Sequence, residues 1–141
     1  MNQRLSLITL GVSNLEAMKR FYTEQFGWIP LQEVGDIVFF KLNGMILSLF
    51  PSAELAADAG VPAEGNGFKK FTLAVCLKSE AEVDQAFDEL NRKGVMIIKP
   101  PQKVFWGGYS GYISDIENNL WEIAFNPFLE MDEEGNVVGQ K

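Results

Sequence analysis

Only a few side chains in this chain pair a reactive group with a setting that would hold it still. Glu122 leads them. In Leu120-Trp121-Glu122-Ile123-Ala124-Phe125, strand alternation puts Leu120, Glu122 and Ala124 on one face, with Trp121, Ile123 and Phe125 on the other, against a helix. A carboxylate on so apolar a strand is costly unless paired, solvated or protonated. Glu122 is therefore a proton-transfer or cation-binding group, or else a carboxylate that only satisfies neighbouring polar groups. The segment Val104–Tyr112 sets aromatic rings between Gly107, Gly108 and Gly111, where the backbone can turn tightly. We expect Trp106 and Tyr109 to line a pocket for a flat or cationic ligand, and Phe105 and Tyr112 to fill core. Phe39 and Phe40 must face opposite ways, and parity does not say which of them enters the pocket.

Other chemistries lack a partner. The chain has no histidine, so Cys76 has no imidazole base, and Ser13, Ser79 and Ser110 cannot form a Ser–His arrangement. Cys76, in a strand that leads to a helix start, reads as a small hydrophobe.

Such groups need a frame, and 141 residues suffice for one. A domain of this size buries about 68–70% of its unfolded surface. Hydrophobic residues make up 47% and charged residues 22%, as in ordinary globular proteins. Twelve basic against 19 acidic residues leave a charge of −7, which argues against nucleic acid and anionic membrane surfaces as partners. A single cysteine excludes an internal disulfide and fits a reducing cytoplasm. No basic leader with a secretory core, and no long apolar run, is present to direct export or membrane insertion.

The elements come in two similar sets. Residues 5–12 read as a strand that stops at Ser13-Asn14, a helix cap. Leu15, Met18, Phe21, Tyr22 and Phe26 then form the stripe of an amphipathic helix ending at Gly27. WIPLQEV, DIVFFKL and MILSLF are three further strands, separated by turns at Gly35-Asp36 and Asn43-Gly44. Residues 51–67, rich in Ala, Gly, Pro and acid, form a linker with a short helical possibility at Glu54–Ala59. The order then restarts: a strand in FKKFTLAVCL, a helix from Ser79 carrying Val83, Ala86, Phe87 and Leu90, and three more extended segments. Turns are expected at Pro100-Pro101 and Glu117-Asn118-Asn119. Val12 aligns with Leu77, Phe21 lies near Phe87, and Gly27 aligns with Gly94. The expectation is a single domain over 1–141, with βαβββ modules at 5–50 and 68–126 and an acidic tail at 127–141 that forms a small hairpin or frays.

Two such modules, the opening GVSNLEAMKRFYTEQFGW and the close DIENNLWEI together resemble the vicinal-oxygen-chelate superfamily, which includes glyoxalase I, extradiol dioxygenases and bleomycin-resistance proteins. The resemblance runs from residue 5 to about residue 127, and the second half looks like a bacterial glyoxalase-like branch. It implies an α+β fold of two paired modules, each a curled, incomplete mixed-sheet barrel, and commonly a homodimer. It also implies inward positions that hold one divalent metal. Here Leu7 stands where His or Gln is usual, Ser48 where Glu is frequent, Thr72 where His is usual, and Glu122 matches the family carboxylate. A transition ion needs about three His, Cys or carboxylate donors. One remains, so no metal cofactor is expected, and Asp115 and Glu117 sit in a turn beyond the wall.

Two functions follow. One is a metal-free binder of a small aromatic or cationic molecule, similar in logic to bleomycin-resistance members, with a ligand set of Leu7, Thr9, Ser48, Thr72, Trp106, Tyr109 and Glu122. The other is a glyoxalase-like lyase or isomerase with Glu122 as general base. That reading needs an electrophile for the developing enolate, and no basic residue near the pocket is evident.

Overall fold

A computed structural model describes residue 3, residues 6–69 and residues 71–141. Leu5, where the first strand is predicted to start, and Lys70, inside the segment that opens the second module, lie outside the described residues. The chain forms two compact units, Met1–Gly67 and Phe68–Lys141.

In the first unit β1 (Leu7–Val12) leads into α1 (Leu15–Arg20). Asn14 caps α1, its side-chain oxygen accepting from the Ala17 amide at 3.0 Å. The helix widens into a π-helical turn at Phe21–Gln25, and Phe21 and Phe26, five residues apart, come to 5.4 Å between ring centroids. β2 (Gln32–Val34), β3 (Ile37–Lys41) and β4 (Ile46–Pro51) follow, in a sheet of order β1-β4-β3-β2 with β1 parallel to β4. Leu10, Val12, Val38, Phe40, Leu47 and Leu49 are buried, as are Met18, Phe21 and Tyr22 on the helical segment. Trp28 departs from the expected strand. Its ring stacks on Tyr22 at 5.6 Å and its amide donates to the Tyr22 carbonyl at 3.0 Å, while Pro30 offers no amide, so β2 is confined to Gln32–Val34. The predicted linker begins with a full helix, α2 (Ser52–Ala59), closed by Gly60 in the left-handed region.

In the second unit β5 (Leu73–Leu77) runs into α3 (Glu80–Arg92). Ser79 caps α3 by accepting from the Glu82 amide at 3.2 Å, and the Glu82 carboxylate reaches back to the Lys78 amide at 2.9 Å. β6 (Met96–Lys103), β7 (Tyr109–Ser114) and β8 (Leu120–Phe125) complete a sheet of order β5-β8-β7-β6, with β5 parallel to β8. Both sheets are mixed and neither closes into a barrel.

The predicted turn at Pro100-Pro101 is not a turn. Both prolines lie within β6, where the register against β7 shifts between Lys99 and Gln102. An edge strand with a bulge tolerates residues that cannot donate. The tail is a hairpin of β9 (Leu129–Met131) and β10 (Val137–Gln140).

Two turns share one construction. In Asp115–Asn119, Asp115 Oδ1 accepts from the amides of Glu117 and Asn119 at 2.9 Å each, and Oδ2 accepts from Asn119 Nδ2 at 2.7 Å. In Asp132–Asn136 the same three bonds measure 3.0, 2.8 and 2.8 Å, and they hold the Asp132 carboxyl below its ordinary range. The fourth position of each turn is left-handed, Asn118 at φ 65° and Gly135 at φ 88°.

Gly111 sits where three elements converge: a Cβ there would lie 2.6 Å from the Lys99 carbonyl oxygen and 2.6 Å from Phe87 Cζ. We expect Gly111→Ala to lower stability by about 1–3 kcal/mol, as overpacking does. Urea denaturation measures it, and an unchanged midpoint would show that the β6 bulge yields freely.

Candidate functional site

Parity fixes which face of each sheet is open to chemistry. In the second unit Gly111 pairs with Ile123 and Ile113 with Trp121, and the Phe87 contact shows that this face carries α3. Tyr112 pairs with Glu122, Glu122 with Ala74, and Ala124 with Cys76, so these side chains share the opposite face. The Tyr112 hydroxyl lies close enough to the Glu122 carboxylate and the Thr72 hydroxyl for both to affect its acidity. Burial, and then the Glu122 charge, push the Tyr112 hydroxyl above its ordinary range. The Cys76 thiol is raised by the same two causes in the same order. Glu122 is half-buried, and among the described residues it forms no ion pair.

The aromatic segment divides differently from expectation. Tyr109 turns to the α3 side, where its hydroxyl donates to Asp84 at 2.7 Å. Trp106 lies in the β6–β7 turn with its ring over Gly108, where a Cβ would fall 1.9 Å from it. Phe105 is 101% exposed and fills no core. Tyr112, assigned to core from sequence, is the ring that meets Glu122. Its common parity with Ser110 and Ser114, against Gly111 and Ile113, was the available signal. Lys99 was also missed: it is the register partner of Tyr112 on β6, visible only once the bulge sets the pairing.

In the first unit the open face carries Thr9 and Ser48, register partners whose hydroxyl oxygens are 2.5 Å apart. Ser48 is 1% exposed and Leu7, one step along that face, is 43% exposed. Phe39 pairs with Ser48 and so belongs to this face, whereas Phe40 packs against Tyr22 and Trp28. At the far end a Cβ on Gly11 would meet Ser52 Oγ at 3.0 Å, which places α2 over that end of the face.

The metal that the fold family commonly uses does not fit these residues. Leu7 has no donor atom, the Ser48 hydroxyl is shared with Thr9, and Thr72 offers only a neutral hydroxyl. Asp115 is committed to its own turn, and among the described residues no three of His, Cys, Asp or Glu come together as a metal-binding group. A cavity of about 370 Å³ lies elsewhere, at the ends of β5 and β8 beside the tail hairpin, lined by Leu77, Phe125, Leu129 and Met131. Lys78 at its rim donates to the Glu133 carbonyl at 2.7 Å, and the lining includes neither Glu122 nor Tyr112, Ala74, Cys76 or Ala124. No helix among the described residues is long and apolar enough to cross a membrane.

If Cys76 and Glu122 share a face, iodoacetamide should alkylate Cys76 slowly near pH 8, where an ordinary thiol of pKa about 8.5 is partly ionised. Glu122→Gln should speed the reaction only part of the way, because burial is the larger cause of the raised thiol. Equal rates in the two proteins would separate the residues.

Comparison with known proteins bears on the fold and the family. No curated protein matches the chain. Among solved structures, a glyoxalase-related enzyme from Fulvimarina pelagi is 34% identical, with a TM-score of 0.86, over 99% of this chain and 100% of that one. A glyoxalase/bleomycin resistance protein/dioxygenase from Nocardioides is 26% identical, with a TM-score of 0.78, over 100% of this chain and 91% of that one. The fosfomycin resistance protein FosX from Listeria monocytogenes is 25% identical, with a TM-score of 0.69, over 89% and 95%. The family model described as Glyoxalase/Bleomycin resistance protein/Dioxygenase superfamily matches residues 4–123, and the chain belongs to that superfamily.

Proposed function

We propose that this chain is a metal-independent binder of a small cationic molecule, held on the Glu122 face. The observation that carries this reading is Glu122 itself, a half-buried carboxylate beside the Tyr112 hydroxyl, with no ion pair among the described residues. A charge so placed is a burden on the fold unless a ligand uses it. The neighbours Ala74 and Ala124 are small and leave room beside it. The ligand set we propose takes Tyr112 in place of Trp106 and Tyr109, because Tyr112 is the register partner of Glu122 while Tyr109 bonds Asp84 on the other face. Leu7, Thr9, Ser48 and Phe39 supply the corresponding face of the first unit.

A second reading, enolisation with Glu122 as general base, is favoured by the same hydroxyl. Tyr112 places a neutral donor beside the base, and the 34% identical relative is described as a glyoxalase-related enzyme. Deuterium exchange from solvent into the carbon next to a bound ligand's carbonyl, lost in Glu122→Gln, would favour it over binding alone.

Protein purified without chelator should carry well under one Zn, Ni, Fe or Mn per chain, and elemental analysis showing one ion per chain would overturn the metal-independent reading. We also propose a homodimer. Strands β2 and β6 are sheet edges, with Leu31, Val34, Met96 and Ile98 exposed on or beside them. Light scattering giving the 15.8 kDa of one chain would reject it.

A further inference from the structure

Resting on the cation site of the proposed function, we infer that Lys99 is a second anchor on the Glu122 face, so the ligand is a zwitterion with its cationic group at Glu122 and an anionic group at Lys99. Strand register puts Lys99 on β6, Tyr112 on β7 and Glu122 on β8 in one row across the sheet, and Ala74 on β5 continues it. Register partners point to the same side, so the row shares the face turned away from α3. Among the register-paired positions of this face, Lys99 and Glu122 are the two that carry a formal charge. The others, such as Gln102, Ser110, Ser114 and Ala124, are neutral.

The two charges are spaced so that neither cancels the other. Opposite charges stabilise a sheet when they stand directly across from one another, and here Tyr112 holds the position between them. Strands lie about 4.7–4.9 Å apart, which sets the Lys99 and Glu122 backbones about 10 Å from each other. Among the described residues neither side chain takes part in an ion pair. Lys99 is exposed on the edge strand, with a flexible four-carbon stem, whereas Glu122 is half-buried on a central strand. Glu122 is thus the fixed end of the site and Lys99 the adjustable one. A ligand with a single charge would meet one of them as a like charge. A molecule carrying both satisfies both, and the Tyr112 ring between them offers an apolar surface for its spacer.

The test titrates the full chain at neutral pH with 4-(aminomethyl)benzoate, benzylammonium and benzoate, which share one ring and differ in the charges they carry, following amide NMR shifts. The wild type should bind the zwitterion about tenfold or more tightly than either singly charged probe, the gain that one further charged hydrogen bond confers. Lys99→Gln should bring the zwitterion and benzylammonium to similar affinities, and Lys99→Arg, which keeps the charge, should retain the preference. Because Lys99 is exposed, both variants should melt with the wild type, so that a lost preference reports binding and not folding. A wild type that binds the zwitterion no more tightly than benzylammonium, with both weakened by Glu122→Gln, would overturn the second anchor and leave the cation site standing. An undiminished preference in Lys99→Gln would overturn the role of Lys99. Binding of none of the probes would overturn both readings.

Discussion

In each unit the first and last strands of the βαβββ unit lie side by side and parallel, Leu10 against Leu49 in one and Val75 against Ile123 in the other. Parallel strands cannot be joined by a tight hairpin. The chain therefore crosses each sheet through a helix, from β1 by α1 to β2 and from β5 by α3 to β6, and antiparallel strands then lead it back beside the first. That constraint commits one face of each sheet to the helix. Met18, Phe21 and Tyr22 seal it in the first unit, and Val83 and Phe87 in the second. Polar side chains at the alternate positions are left to the other face. Glu122 faces away from α3 because Trp121 and Ile123, on either side of it, lie buried on the α3 face.

The open faces satisfy their polar groups locally. Thr9 and Ser48 share a hydrogen bond in the first unit, and Tyr112 stands beside Glu122 in the second. The one group left with acceptor capacity and charge is Glu122. Its influence reaches Cys76 and Tyr112, whose acidities both respond to it.

Irregular backbone appears where side chains leave no regular alternative. The π-helical turn brings Phe21 over Phe26, and Trp28 is drawn onto Tyr22 at the expense of four strand residues. The β6 bulge takes in two prolines on an edge, and it fits only because Gly111 opposite has no Cβ. The twin Asp-x-x-x-Asn turns show the reverse case, in which local chemistry suffices. Asp115 and Asp132 each fold the chain around their own carboxylate, one in a buried turn and the other in an exposed one.

The sequence by itself determined the order of elements, the helix caps at Asn14 and Ser79, the α+β class and the inward parity of Glu122, because all of these depend on neighbours within a few positions or on a period of two or 3.6. It also excluded histidine chemistry and left one ionisable residue among the four expected metal positions. Only the tertiary structure decided that Tyr112 and not Tyr109 meets Glu122, that Phe39 and not Phe40 faces Ser48, and that Lys99 stands beside Tyr112. Those outcomes turn on strand register. A shift of one residue reverses every side chain, and register was set here by a bulge, a glycine and a ring stack formed between residues distant in the chain.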